Sequence, residues 1–319
     1  MINSKSNSIP VLTPRTGNKK SFLQRLNSSK YLLLMVMPMM VFFILFNYLP
    51  MYGISISFQQ FSPFKGFADS PWVGLKHFRT FFEYQHAFRL IRNTFLLSFY
   101  SLIWGFPAPI IFALILNEVR NERAKKFVQT VTYMPHFIST VVIVSMITMF
   151  LSPSTGLLNK LIASLGYSKI NFMQSAEWFR TIYISSGIWS GVGWGSIVYL
   201  AALSNIDPTL YASAMIDGAN KLQRIIHISI PCIAPTIITL FILRTGNLMS
   251  VGFEKAFLLQ GATTYETSDV IQTFVYRQGI RQGNMSYGTA IGLFNSAINL
   301  CFLVTSNFIS KRVNETSLW

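Results

Sequence analysis

A long apolar run, TIYISSGIWSGVGWGSIVYLAAL (residues 181–203), leads directly into a shorter and more polar segment, SNIDPTLYASAMIDGANKLQRIIHISIP (residues 204–231). The run has no charged side chain, and about 20 mostly apolar residues are enough to cross the hydrocarbon core of a bilayer. A helix on the surface of a soluble protein would keep a polar face, which this run lacks. The two segments therefore predict a membrane-spanning helix that ends in a loop at the membrane surface.

Composition extends this prediction to the whole chain. Of 319 residues, 51% are hydrophobic and only 12% are charged, about half the charged share of ordinary soluble domains. Apolar runs of spanning length recur along the sequence. We therefore predict an all-α membrane protein with six transmembrane helices, at about residues 31–49, 94–116, 131–151, 181–203, 232–250 and 287–309.

The formal net charge is +15, which in a soluble protein would suggest nucleic acid as a partner. No basic stripe lies on a helix face and no recognition motif is present, so we expect the lipid bilayer as partner and no nucleic acid. Lys and Arg concentrate in residues 1–30, 117–130, 204–231 and 310–319. Loops rich in Lys and Arg remain in the cytoplasm, which predicts cytoplasmic N and C termini.

This topology gives the expected domain organisation. Residues 1–30 form a basic cytoplasmic tail, residues 31–309 form the transmembrane domain, and residues 310–319 form a second cytoplasmic tail. The segment 204–231 is then a cytoplasmic loop between the fourth and fifth spans. We therefore expect a multi-pass protein of the cell membrane.

Several function classes lose support from what the sequence lacks. All 11 acidic residues lie in predicted loops or tails, whereas proton-coupled carriers commonly use acids inside the membrane. Phosphate-loop, zinc-helix and serine-elbow motifs are missing. An ion-driven secondary transporter remains an alternative, because Na⁺ also binds backbone carbonyls. A membrane-bound enzyme has no catalytic set here, and we expect no catalytic residue, metal ligand or cofactor-binding residue in this chain.

Arg244 is the one charge well inside a predicted span. Arg at such a depth is costly and usually faces the bundle interior or a wet cavity. Two interpretations stay open: an interaction within the bundle or at the interface, and a role in lining a solute path. Asn247, three residues further on, is expected on the same helix face.

Other polar and aromatic residues in the spans have the same two interpretations. Asn295 and Asn299 are four residues apart on the sixth span and either line a path or join helices. Trp189 and Trp194 flank a stripe of glycines at every fourth position of the fourth span. Such a stripe favours close helix packing, and the two Trp residues either pack there or stack on a sugar ring.

The loop between the fourth and fifth spans is the most informative part of the sequence. Asp207 is in place to cap a helix that starts at Pro208. Gly218 permits a tight turn after this short helix, and a second short helix is expected to end at Pro231. Two short helices with a knob of small residues suit insertion into a partner's cleft, although an ordinary interfacial loop fits these observations equally well.

This loop resembles the E-A-A-x-x-x-G…I-x-x-P loop of binding-protein-dependent ABC import permeases. Ala212–Ser213–Ala214 matches E-A-A with Ala in place of Glu, Gly218 matches the glycine, and Ile228 begins the I-x-x-P match. The resemblance implies contact with an ATPase at a defined set of positions: Ala212, Ser213, Ala214, Asp217, Gly218, Ala219, Ile228 and Pro231.

Further stretches resemble one carbohydrate-uptake branch of this superfamily, the maltose-related permeases for complex oligosaccharides. They are YLPMYG (48–53), SPWVGL (70–75), GFE (252–254), TFVYR (273–277) and GTAIGLF (288–294).

The resemblance implies the type I importer permease fold and a set of partners. These are a second permease subunit, usually forming a heterodimer, two ATPase subunits or a homodimeric ATPase, and an extracellular solute-binding protein. ATP and Mg belong to the ATPase, and this chain binds neither. The expected function is to form half of the path for a sugar, with Arg244, Asn247, Asn295, Asn299, Trp189 and Trp194 as candidate lining residues. The same machine moving a non-sugar solute is the alternative closest to this one.

Overall fold

The computed structural model describes residues 30–314, with side chains to residue 312. Residues 1–29 of the predicted N-terminal tail and residues 315–319 of the predicted C-terminal tail therefore lie outside the described residues. Within the described range the chain is mostly helical. Its helices are α1 (Lys30–Phe43), α2 (Leu49–Met51), α3 (Lys76–Glu83), α4 (Ala87–Gly105), α5 (Pro107–Asn117), α6 (Glu122–Tyr133), α7 (Thr140–Leu151), α8 (Leu157–Ser164), α9 (Ala176–Ser204), α10 (Pro208–Ile216), α11 (Lys221–Arg224), α12 (Ile230–Thr245), α13 (Phe253–Leu259), α14 (Tyr265–Ser268), α15 (Ile271–Val275) and α16 (Met285–Asn314).

The chain divides into two units after Gly53. The first unit contains α1 and α2, joined by a π-helical turn at Ile44–Tyr48. Helix α1 has an internal proline, Pro38, and none of its residues is buried. An apolar helix of this kind is suited to lipid on all sides.

Among residues 30–314, four continuous helical runs are long and apolar enough to span a membrane: Lys30–Phe58, Ala87–Asn117, Lys221–Thr245 and Met285–Arg312. The pair Glu122–Phe137 and Thr140–Leu151 counts as a fifth if it is one broken span. The second unit thus has longer helices than the sequence predicted for the second, fifth and sixth spans.

The third predicted span, residues 131–151, is not a straight helix. Its two parts meet at an angle of 101°. A 3₁₀ turn at Met134–Phe137 contains Pro135, and the Ser139 hydroxyl accepts from the Val142 backbone amide at 3.4 Å to start a new helix. Proline and a fresh N-cap interrupt the hydrogen-bond ladder, which explains the bend.

Helix α9 is 29 residues long and forms the centre of the second unit. Phe179 and Tyr183 near its start belong to one buried cluster, and Tyr199 and Leu203 near its end belong to another. Gly193 lies so close to the neighbouring backbone that a Cβ there would overlap the Thr132 carbonyl. Helix α9 therefore contributes to the core along most of its length.

An ion-pair cluster fixes the segment between α12 and α16. Asp269 is buried, and its carboxylate accepts from Arg277 at 2.6 Å and lies 3.8 Å from Arg89. Asn93 on α4 donates to the backbone carbonyl of Asp269 at 3.2 Å. These bonds tie the short helices α14 and α15 to α4.

Candidate functional site

Helix α10 begins as its sequence predicts. The Asp207 carboxylate accepts from the Thr209 backbone amide at 2.9 Å, and this bond lowers the pKa of Asp207. Pro208 occupies the first helical position, where its missing N–H costs nothing. The start of α10 is therefore fixed by its own sequence.

The end of α10 is a tight left-handed turn. Gly218 has φ +80°, a conformation that residues with a Cβ rarely adopt. The Gly218 amide donates to the Met215 carbonyl at 3.2 Å, and the Ala219 amide donates to Ala214 at 2.9 Å. This is a Schellman arrangement, which satisfies the last carbonyls of a helix and reverses the chain.

Helix α10 has small side chains in its middle and apolar side chains at its end. Ala212, Ser213 and Asp217 are exposed. Met215 is 55% exposed and Ile216 is 87% exposed. Exposed apolar side chains beside small ones form a surface that a partner can cover closely.

The second half of the loop differs from the prediction, because no helix ends at Pro231. A capping box between Asn220 and Gln223 starts α11, a π turn follows at Ile225–Ser229, and the helical run continues through Pro231 to Thr245. Proline has no N–H and its ring clashes with the carbonyl four residues before it. The wider π turn relieves both problems, since Ile230 donates to Ile225, five residues back.

Side-chain contacts hold α10 against the π turn and α11 against the end of α5. The Tyr211 hydroxyl on α10 lies 2.9 Å from the Ser229 hydroxyl in the π turn. Arg224 on α11 lies 3.9 Å from Glu118, at the end of α5. Ile228, which the I-x-x-P match includes, is half-buried in the same π turn.

A cavity of about 710 Å³ lies between α4, α5, α9, α12 and the segment that follows α12. Gly187, Gly191 and Gly195 of α9 line it. A Cβ at Gly191 would meet nothing within 4 Å. The glycine stripe therefore opens space for the cavity over part of its length, rather than only packing helices together.

Two basic side chains line this cavity, Arg244 and Lys255. The Lys255 ammonium donates to the Tyr183 carbonyl at 2.6 Å and lies 4.5 Å from the centre of the Tyr183 ring. Burial lowers the pKa of Lys255 to about 8. Sequence reasoning missed Lys255, whose only signal was a lone basic residue just after Gly252.

Three predicted lining residues are elsewhere. Helix α12 ends at Thr245, so Asn247 lies in the turn after it rather than on the face of Arg244, and its amide donates to the Leu243 carbonyl at 3.4 Å. Asn299 accepts from the Met249 amide at 2.7 Å and donates to Ser250 at 2.9 Å. Asn295 is buried on α16, and its Oδ1 has no partner among the described residues. Asn299 thus joins α16 to the turn after α12.

The two Trp residues also lie outside the cavity lining. Trp194 stacks on His136, with ring centres 4.7 Å apart and planes 2° from parallel, and meets Phe137 edge-on at 5.6 Å. Trp189 is 45% exposed. The contacts of Trp194 are with the turn at the break between α6 and α7.

Comparison with known proteins places this architecture in a family. Residues 105–315 match the model of the binding-protein-dependent transport system inner membrane component family. Protein LplB of Bacillus subtilis (strain 168) is 41% identical over 99% of this chain and 98% of its own length. The polygalacturonan/rhamnogalacturonan transport system permease protein YteP of the same organism is 44% identical over 94% of each chain.

Solved structures give the same result. A chain of a bacterial ABC transporter involved in the import of the acidic polysaccharide alginate has a TM-score of 0.85 and 42% identity, covering 92% of this chain and 99% of that one. A second alginate transporter structure, in complex with an alginate pentasaccharide-bound periplasmic protein, has a TM-score of 0.86 and 41% identity, covering 93% of this chain and 99% of that one. The chain therefore belongs to the binding-protein-dependent transport system inner membrane component family and is a multi-pass membrane protein.

Proposed function

We propose that this chain is one of two permease subunits of an ATP-driven oligosaccharide importer and that α10 couples it to a separate ATPase subunit. The observation that carries the proposal is α10 itself. It presents an exposed apolar end at Met215 and Ile216 and is joined through Tyr211 to the helical run that enters the membrane. The relatives named for polygalacturonan/rhamnogalacturonan transport and for alginate import support a saccharide as cargo.

The proposed topology has six spans with both termini in the cytoplasm. The bent pair α6 and α7 is the third span and α9 is the fourth. Helix α9 has 29 residues, about 43 Å at 1.5 Å per residue, which exceeds the roughly 30 Å hydrocarbon core. The distribution of Lys and Arg supports this orientation.

The proposed mechanism is mechanical. When two ATPase subunits close on ATP and Mg, they move α10, and the Tyr211–Ser229 contact passes this motion to the helix that carries Arg244 at its far end. The importer then alternates between two states, biased by nucleotide and by a loaded extracellular binding protein. This chain supplies the moving helices and half of the path, alongside a second, different permease subunit.

The coupling positions proposed from the family pattern fall into two groups. The first group is exposed and is proposed to contact the ATPase directly: Ala212, Ser213, Asp217 and the turn at Gly218. The remaining four act on the shape of the loop: Ala214, Ala219, Ile228 and Pro231. Ala214 and Ala219 close the helix end, while Ile228 and Pro231 belong to the π turn and the helix that continues from it.

The test is Ile216→Asp. Placing a charge at the exposed end of α10 should release the ATPase subunit from the purified complex, because apolar contact area would be replaced by a desolvated charge. Ile280→Asp is the matched control, since Ile280 is also exposed, at 72%, but is not in the loop. Retention of the ATPase by Ile216→Asp, at the same level as by the control, would refute the docking role of α10.

A further inference from the structure

The charge of the α9 cavity is one-sided. Arg244 and Lys255 line it, and among the described residues that form its wall there is no Asp or Glu. Two cations in one cavity repel each other unless an anion lies between or beside them. A cavity of this charge is complementary to a negatively charged ligand.

Arg244 is exposed in this structure. Its guanidinium makes no hydrogen bond and no ion pair with residues 30–312, although it stands at the end of a helix that enters the membrane. Arg at membrane depth is costly and usually marks a solute path or a paired charge. Its planar group of donors fits a carboxylate with two parallel bonds.

Lys255 is anchored but not neutralised. The carbonyl and ring of Tyr183 hold its ammonium, while the Tyr183 hydroxyl is used by the Gly252 amide at 3.1 Å. An ammonium has three donors, and the carbonyl takes one. Lys255 therefore keeps both its positive charge and free donors for a ligand.

The rest of the wall suits a chain of sugar rings. Gly187 and Gly191 leave a strip without side chains, and the hydroxyls of Ser101, Ser190 and Ser250 surround it. The Ser98 hydroxyl also belongs to the wall, is buried, and has no hydrogen-bond partner among the described residues. At about 710 Å³, the cavity is in the range of small-molecule sites.

From these observations we infer that the cavity selects acidic oligosaccharides, with Arg244 and Lys255 binding the carboxylates of uronic acid units. The inference rests on the proposed importer function and specifies its substrate class. A sugar phosphate presents the same charge, so the experiment includes one. The hydroxyls and the glycine strip hold the rings, and the two cations distinguish acidic chains from neutral ones.

The experiment uses the complete importer in proteoliposomes, with one binding protein preparation throughout. Uptake is measured for trigalacturonate, for its carboxyl-reduced counterpart with the same linkages and hydroxyls, and for a phosphorylated hexose. Because the binding protein makes its own selection, the informative quantity is the change between wild type and variant for each ligand. Arg244→Gln should raise the half-saturating concentration of trigalacturonate about tenfold and leave that of the neutral trisaccharide unchanged.

Two further variants sharpen the test. Arg244→Lys should restore part of the selectivity, because it restores the charge without the planar geometry. Arg123→Gln is the matched control, since Arg123 is exposed and does not line the cavity. The guanidinium of Arg244 makes no hydrogen bond or ion pair within residues 30–312, so its replacement should not unfold the chain. A thermal melt of each variant checks this.

The outcomes distinguish a failure of the acidic-substrate assignment from a failure of the importer function. Equal changes for the acidic and neutral trisaccharides in Arg244→Gln, or none for either, would overturn the inference and leave the importer function standing. A larger change in half-saturating concentration for the phosphorylated hexose than for trigalacturonate would show that the cavity recognises phosphate rather than carboxylate. That result would overturn the assignment. A wild-type importer that accumulates no saccharide would contradict both.

Discussion

The hydroxyl of Tyr211, on the exposed helix α10, lies 2.9 Å from the hydroxyl of Ser229, in the π turn that continues into α12. Ser229 is 1% exposed, so its hydroxyl depends on this partner. The contact is a direct bond between the loop that faces the proposed ATPase and a helix that enters the membrane. We therefore expect this bond to pass motion of the loop to the span.

Tyr211→Phe should therefore weaken coupling without preventing assembly. Leaving the buried Ser229 hydroxyl unpaired costs about 1–3 kcal/mol, which loosens α10 relative to the span. We expect fewer oligosaccharides imported per ATP hydrolysed, with basal ATP hydrolysis kept. Tyr167→Phe is the control, because Tyr167 is 72% exposed. An import ratio in Tyr211→Phe equal to that of the control would show that the bond transmits nothing.

Gly218 offers a test in which backbone and surface effects separate. Its φ of +80° costs a residue with a Cβ about 1–2 kcal/mol, although a Cβ would meet no atom within 4 Å. Gly218→Phe should abolish uptake while membrane insertion stays intact, because a bulky group at the turn prevents close docking. Gly218→Asn, which tolerates the left-handed conformation, should keep much of the activity.

Gly166 supplies the matched control for that substitution. It has φ +84° and also leaves open space around a Cβ, but it lies between α8 and α9. Gly166→Phe carries the same backbone strain without touching the loop. If Gly218→Phe and Gly166→Phe lose uptake to the same extent, backbone strain explains the loss. Gly218 would then have no role in docking.

Two glycines of α9 should respond in opposite ways. Gly193→Ala would push a Cβ into the Thr132 carbonyl, whereas Gly191→Ala meets nothing within 4 Å. Overpacking of this kind costs about 1–3 kcal/mol, so Gly193→Ala should lower the melting temperature and the yield of folded protein. Gly191→Leu should fold normally and reduce uptake, because it fills the cavity. A stable Gly193→Ala protein would show that the α9 contact with Thr132 is looser than described.

The charge of Lys255 predicts a pH dependence. Burial holds the pKa of Lys255 near 8, below its usual value of about 10.4, so the side chain is charged below pH 8 and neutral above it. The groups that face it are Tyr183 and, in the same cavity, Arg244. Affinity for an acidic oligosaccharide should fall as the pH rises through about 8, while affinity for the neutral counterpart stays flat. Lys255→Gln should abolish this step in a titration of uptake from pH 6.5 to 9, and a step that persists in it would contradict the assignment.

Much of the loop was predictable because its signals are local. Asp207, Pro208 and Gly218 act within a few residues of themselves, and the structure bears out the cap, the helix start and the turn. Pro231 was misjudged for a related reason. A proline predicts the end of a helix unless the preceding turn widens, and nothing in the sequence of Ile225–Ser229 announces a π turn.

The cavity was less predictable because it depends on packing between distant segments. Arg244 was identified from its apolar surroundings in the sequence. The position of Lys255 in the cavity wall depends on the packing of α13 beside Tyr183, which the sequence does not specify. Asn299 was expected either to line a path or to join helices, and the structure shows that it joins α16 to the turn after α12. Trp194 was expected either to pack or to stack on a sugar ring, and it packs on His136. These outcomes follow from contacts between segments that sequence periodicity does not specify.

In the proposed importer, this chain has no energy source of its own and is driven through α10 by a separate ATPase. The most direct measurement is concentrative uptake of a labelled oligosaccharide by proteoliposomes that contain this chain with its partner permease, either with or without the ATPase subunit, ATP being present on the side that α10 faces. We expect accumulation above the external concentration only when the ATPase and ATP are both present. Accumulation of the sugar against its gradient by vesicles that lack the ATPase would contradict it.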